Sequence, residues 1–411
     1  MEWPIDGGGL QRYRRVLRAP QVTPLVASAL VAVLPIGMGT LAVVVFVERQ
    51  AGSYAPAGLV AAALAFGAAV ATPVLGRLID RVGQARVLVP CAVVSPVALA
   101  SIVPVAHAGA SVGVLGAVAF VAGSSAPPVL SCLRSMWPIL LGGNGHLVRA
   151  GLAVDALLLE AAFIVGPLLT AVLIASVSAE SALLVAAGGT MAGTFAFAAA
   201  SPLRNTRGAA RTDQRLLGPL RAQGLQTILL ATFPVGVLFG GFDVIAPAIG
   251  DDLAGRQSVG GLLIALTAVG STIGGLWWGM RPAAAPLRGY VAAACLMPLG
   301  LILVAVPDTL AALALLALLF GMPFAPFSVA GGELVHRLAP GGMGTESFTW
   351  ITTALIAGAA TGQAITGPLI DHAGWRTAAL ACATVGTVGA ALVLARRSTL
   401  TVTAAADLEQ R

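Results

Sequence analysis

The chain has 411 residues, of which 58% are apolar and only 10% charged, with a mean hydropathy of +0.93. A soluble domain carries about 25% charged residues, so this composition excludes a water-soluble globular protein and leaves a surface that faces mostly lipid. The net charge of +6 rests on 23 arginines and no lysine. They are spread over short loops rather than gathered on one face, which argues against nucleic acid as a partner.

A spanning helix needs about 20 apolar residues to cross about 30 Å of hydrocarbon. Twelve such stretches are centred near residues 35, 65, 97, 122, 163, 191, 237, 269, 297, 320, 358 and 386. They are too long for barrel strands and lack the strict alternation. The expectation is an all-α membrane protein of twelve transmembrane helices. The first stretch, about 22–47, follows basic residues as a signal peptide would. It is too long for a signal core and has no clear cleavage site, so it reads as helix 1. Twenty arginines, among them Arg12, Arg77, Arg134, Arg204 and Arg396, fall on one side of this pattern, and Arg49, Arg256 and Arg376 on the other. The positive-inside rule then puts both termini in the cytoplasm of a bacterial inner membrane.

Between helices 2 and 3 lies the charged patch Gly76-Arg77-Leu78-Ile79-Asp80-Arg81-Val82-Gly83-Gln84-Ala85-Arg86, flanked by nearly uncharged sequence. Arg134, at the cytoplasmic end of helix 4, and Arg149, at the start of helix 5, are candidate partners for Asp155 in a structural salt bridge. Glu160 lies five residues beyond Asp155, about 140° around the helix, so the two cannot both face one cavity. Glu160 falls near the midplane, where a carboxylate is costly unless protonated, paired or wet. Proton or substrate coupling fits it, and so does a buried structural hydrogen bond. Asp243 in helix 7 shares a helical face with Gly236, Gly240 and Pro247, which fits either a cavity lining or an interface anchor. Thr345 and Glu346 open helix 11, where an acid in the first turn acts as a cap. Gln363 further along is a polar candidate for the cavity. Trp137, Trp277, Trp278, Trp350 and Trp375 fall near helix ends, as an aromatic belt would. Cys91, Cys132, Cys295 and Cys382 are isolated packing residues. The histidines show no metal-ligand spacing, and no cofactor is called for beyond a proton gradient.

The polar segment 203–224 divides the chain into 1–202 and 225–411, with six spans each. The halves repeat. Gly58, Gly67 and Gly76 are matched by Gly261, Gly270 and Gly279 at the same spacing. Leu34-Pro35-Ile36-Gly37 matches Phe233-Pro234-Val235-Gly236, and Gly166 aligns with Gly362. Parallel six-helix repeats are a way to build a cavity between two rocking bundles.

The patch Gly76–Arg86 resembles the signature loop of the major facilitator superfamily: Gly76, Leu78, Asp80, Arg81 and Gly83 match, while Gln84 and Ala85 depart and Arg86 stands one position late. The resemblance implies the major facilitator fold and alternating access for a small-molecule substrate. It also implies that the acid at Asp80 holds the two halves together on the cytoplasmic side. A latch onto the start of helix 11, with Arg81 and Arg86 balancing charge, fits a carboxylate near a helix N-terminus, and an ordinary solvated loop with topogenic arginines is the alternative. Gly166-Pro167 is similar to the glycine-proline element of family antiporters, although Ala162 and Ala171 replace expected glycines. Helix 4, around Phe120–Gly123, lacks the arginine of many proton-coupled members. The expected protein is a monomeric exporter of a small, fairly apolar organic compound, by proton antiport. An importer of a sugar or other nutrient and a non-transporting receptor are the alternatives. No nucleophile–base pair, metal set or phosphate-binding loop suggests an enzyme.

Overall fold

A computed structural model describes residues 16–19, 21–142, 144–201, 222–280, 286–338 and 344–400; for Asp80, Gly145, His146, Arg149, His336, Gly344, Thr345 and Glu346 it describes the backbone alone. The described residues are helical almost throughout. The first half comprises α1 (Val22–Ala51), α2 (Tyr54–Val82), α3 (Gln84–His107), α4 (Val112–Ser124), α5 (Val129–Leu140), α6 (Gly145–Ser176) and α7 (Ala179–Ala200). The second comprises α8 (Gln223–Ala254), α9 (Val259–Gly279), α10 (Pro286–Val304), α11 (Leu310–Gly321), α12 (Phe324–Leu338) and α13 (Gly344–Ala395). Because α8 starts at Gln223, the last two residues of the expected linker are helical.

Among the described residues, 11 helical stretches are long and apolar enough to cross a membrane. The last of them, Ser347–Ala395, is 49 residues long, or about 74 Å at 1.5 Å per residue. That is more than twice a bilayer core, and α13 breaks inside at Gly374 (φ 78°, ψ 165°). The stretch is therefore two crossings, which makes twelve. Two crossings are each built from a pair of shorter helices. The α4–α5 crossing unwinds over residues 125–128, and α11–α12 at Met322-Pro323. Pro127, Pro128 and Pro323 have no amide hydrogen to continue a helix.

Glycine decides how the helices approach. A Cβ on Gly67 would collide with the carbonyl of Phe120, and one on Gly123 with that of Leu64, which locks α2 onto α4. In the second half Gly270 lies on the carbonyl of Leu318 and Gly321 on that of Thr267, which locks α9 onto α11. The partners sit three residues apart in all four helices, so the repeat in sequence is a repeat in packing. Similarly, Gly37 lies on Ala162 and Gly166 on Leu34 and Gly37, joining α1 to α6. Gly236 lies on Leu355 and Gly362 on Val237, joining α8 to α13. Small residues give backbones this proximity, on which helix association in lipid depends.

The halves meet through two crossings related by the same repeat. Gly58 of α2 lies on the carbonyl of Gln363 and beside Gly367 of α13. Gly261 of α9 lies on the carbonyl of Pro167 and beside Ala171 of α6. Both contacts sit toward the end of the bundle that carries the α1–α2 turn, the α8–α9 turn and the break in α13, hereafter the Gly52 end. At the opposite, Gly83 end, Gly76 and Gly279 face open space, with no atom within 4 Å of an added Cβ.

Candidate functional site

At the Gly83 end the signature loop is a sharp corner between α2 and α3. Gly83 has φ 96°, a conformation open to glycine, and its N–H closes α2 by donating to the Ile79 carbonyl at 2.9 Å. Arg81 and Arg86 are exposed. Gln84, standing where a basic residue was expected, is buried at 7% exposure. Its amide donates to Ser135 Oγ on α5 (3.1 Å), and its carbonyl oxygen accepts from Ser201 after α7 (3.4 Å). Gln84 is thus a tie among three helices. The Asp80 carboxyl and the Glu346 side chain, and with them the expected latch, lie outside the described residues.

On α6 the two acids face different neighbours. Asp155 is 1% exposed and turned to α5, where it accepts from the Trp137 indole N–H at 3.0 Å and from Arg134 Nε at 3.4 Å. The arginine side chain is itself 60% exposed, so the indole is the buried partner. Trp137 therefore does not belong to an aromatic belt: it is fully buried, with Gly151 against its ring. Trp375 is likewise buried and donates to Asp252 at 2.8 Å. The acceptor of Trp137 is buried, whereas Asp252 is exposed at the end of α8.

Glu160 lies about midway along α6 and reaches across to the second half. Thr272 Oγ1 of α9 donates to its Oε2 at 3.1 Å. The same hydroxyl lies 2.9 Å from the Ala268 carbonyl, so its single proton serves one acceptor at a time. Further toward the Gly52 end, Gly166 and Pro167 form the contacts with α1 and α9 already described, and α6 continues through them as one helix.

The second acid, Asp243 of α8, is partly accessible, and Gln363 Nε2 of α13 donates to its Oδ2 at 3.4 Å. Gln363 is 2% exposed, and its Oε1 has no hydrogen-bond partner. The orphan acceptor belongs to the same amide that donates to the acid. Gln363 also supplies the carbonyl on which Gly58 rests, so one residue joins this acid to the α2–α13 crossing. Neither Glu160 nor Asp243 has a salt-bridge partner among the described residues.

The Gly52 end holds a polar cluster that the sequence did not single out. Gln257, 5% exposed, accepts from Arg49 Nε at 3.0 Å and donates to Glu48 and to the Tyr54 hydroxyl (3.4 Å). A cleft of about 300 Å³ opens beside it, lined by Glu48, Arg49, Gly52, Asp251, Gly255 and Gln257. Asp371, just before the break in α13, reaches the first turn of α2. Its Oδ1 accepts from the Tyr54 amide (2.8 Å), and its Oδ2 accepts from the Ala55 amide (2.7 Å) and the Ser53 hydroxyl (2.5 Å). The signal available in sequence was Ser53, a capping residue followed by a first turn with no acid.

No family model and no curated protein matches the sequence. Solved structures do. The nucleoside transporter NupG superposes with a TM-score of 0.74 at 13% identity, over 93% of this chain and 100% of that one. The human organic anion transporter MFSD10 (TETRAN) gives 0.60 at 17%, over 93% and 99%. A bacterial homolog of the human lysosomal transporter Spinster, in an inward-facing and unoccupied conformation, gives 0.68 at 12%, over 96% and 98%. This chain has the major facilitator fold.

Within that major facilitator fold the packing repeats but the acids do not. Aligning Gly166 with Gly362 sets Glu160 opposite Ile356, and aligning Gly37 with Gly236 sets Asp243 opposite Val44. Glu160 and Asp243 thus stand in different halves, on helices that the repeat does not pair.

Proposed function

We propose that this protein is a secondary active transporter that exports a small, fairly apolar organic compound in exchange for protons. The observation that carries this reading is the state of its two membrane-depth acids. Glu160 and Asp243 have a hydroxyl and an amide as partners rather than a cation among the described residues. Ionisable groups inside a membrane are costly and mark ion or substrate pathways. Glu160 and Asp243 are the proton carriers in this reading, and Gln363 links one of them to the contact between halves. The fold is shared with transporters of nucleosides and of organic anions, which supports transport. The scarcity of charge inside the bundle favours a weakly polar cargo.

Residues 1–202 and 225–411 are the two rocking units, joined by 203–224. The arginine distribution puts the Gly83 end and both termini in the cytoplasm of a bacterial inner membrane. In this reading the halves are joined at the outer, Gly52 end, as an inward-facing state requires. When the Gly83 end closes, Asp80, with Arg81 and Arg86 balancing its charge, latches onto the start of α13.

The test is a panel of apolar and weakly basic compounds in inverted vesicles, with and without an imposed pH gradient. Gradient-dependent accumulation that is lost in Glu160→Gln supports the reading. Accumulation that ignores the gradient, or is the same in Glu160→Gln, refutes proton coupling through Glu160.

A further inference from the structure

The start of α2 lacks an anion of its own. Its first turn contains no acid, and Ser53 offers the Ala55 amide a long 3.3 Å bond. The first amides of a helix have no partners within the helix and carry the positive end of its dipole. Here they are satisfied from the other half of the protein. Asp371, more than 300 residues away in sequence, accepts from the first two amides of α2 and from its capping hydroxyl through both carboxylate oxygens. Charge-assisted bonds of this kind are the strong members of their class.

We propose that Asp371 is an electrostatic lock that holds the halves of the protein together at the Gly52 end. The contact is wholly between halves, so it breaks whenever they separate there. Its placement beside the Gly58–Gln363–Gly367 crossing puts an attractive contact at the rim of a purely steric one. Gln257, held by Glu48, Arg49 and Tyr54, closes the same rim from the α8–α9 turn. The acid belongs to the turn that ends the eleventh crossing, whereas the signature-loop acid belongs to the end of the second. The lock is therefore a separate element, at the opposite end of the bundle from the signature loop. Because Asp371 is exposed, its attraction to the helix end is weakened by salt.

The test measures the distance between halves and needs no substrate. Ala51 and Ala254, both exposed and one in each half, receive spin labels on single cysteines in full-length protein in nanodiscs, with Cys91, Cys132, Cys295 and Cys382 replaced. Distances are read by pulsed electron resonance. Native protein populates the short distance, and raising the salt concentration increases the long-distance share. Asp371→Ala raises that share about three- to ten-fold and weakens its salt response, the effect of losing a charged cap on a helix N-terminus. Asp371→Glu restores both. Asp308→Ala is the control, since that exposed acid pairs with Arg376 of its own half, and it leaves the distances unchanged. If Asp371→Ala fails to fold, Asp371→Asn, which keeps the shape and loses the charge, is read instead. A native-like distribution and salt response in the folded Asp371 variant overturns the lock, and so does an equal shift in Asp308→Ala.

Discussion

Gly58 rests on the backbone carbonyl of Gln363, leaving no room for a Cβ between α2 and α13. Its repeat mate Gly261 rests on the carbonyl of Pro167 in the same way. Forcing side chains into such contacts costs about 1–3 kcal/mol, and here the strain falls between halves rather than within one. Gly58→Val and Gly261→Val are expected to leave the protein folded and to drive the Gly52 end apart. Spin-label distances between Ala51 and Ala254 should lengthen in both variants, and an unchanged distribution would contradict the assignment of these crossings as the contact surface.

Within a half, the same chemistry governs stability. Gly123→Ala and Gly321→Ala occupy equivalent places against carbonyls of α2 and α9. Each should lower stability by about 1–3 kcal/mol. Gly188→Ala faces open space and should be neutral or slightly stabilising, because alanine favours helix over glycine. Thermal unfolding in detergent distinguishes the three.

Trp137 and Asp155 form a buried pair whose loss should be graded. Asp155→Ala leaves the indole N–H without an acceptor, an uncompensated donor worth about 1–3 kcal/mol. Asp155→Asn still offers an oxygen at the position of Oδ1 and should lose less. Arg134→Ala removes a partner that is mostly exposed and should lose least. The order is checked by thermal unfolding, and a larger loss in Arg134→Ala than in Asp155→Ala would reverse the assignment of the indole as the main partner.

Among the described residues, Thr272 is the one of the second half that hydrogen-bonds Glu160. Thr272→Val keeps the shape and removes the hydroxyl. If this bond holds the acid rather than the fold, gradient-driven transport should fall about ten-fold or more while the unfolding temperature stays close to native. A matched loss of stability would mean that the hydroxyl holds the fold rather than the acid.

Hydropathy marked all twelve crossings, because bilayer thickness leaves few alternatives for an apolar stretch of about 20 residues. The glycine repeat was legible for a stricter reason: a backbone resting on a carbonyl leaves no room for a Cβ, so Gly67 and Gly270 recur at one register. The interrupted crossings were announced by Pro127-Pro128 and Pro323 but are hidden in a smoothed hydropathy pattern. Trp137 was misplaced because the belt rule reads distance from a helix end and cannot see an acceptor on another helix. Asp371 escaped for the same reason on a larger scale. Its partners are the backbone amides of Tyr54 and Ala55, and an amide has no signature in the sequence. Glu160 and Asp243 stood out as charges in apolar surroundings, while their links to Thr272 and Gln363 required the helices to be placed.

The break at Gly374 has a further consequence. Its positive φ turns what would be one rod of about 74 Å into two crossings, and so it sets the parity of the protein. With the break the count is even, and Leu400 returns to the side of the membrane where Val16 lies. Without it the count is odd, the last helix projects into water on the far side, and the arginines at 396 and 397 are stranded there. One backbone angle, at a residue with open space where a side chain would stand, decides which side of the membrane receives the end of the described chain.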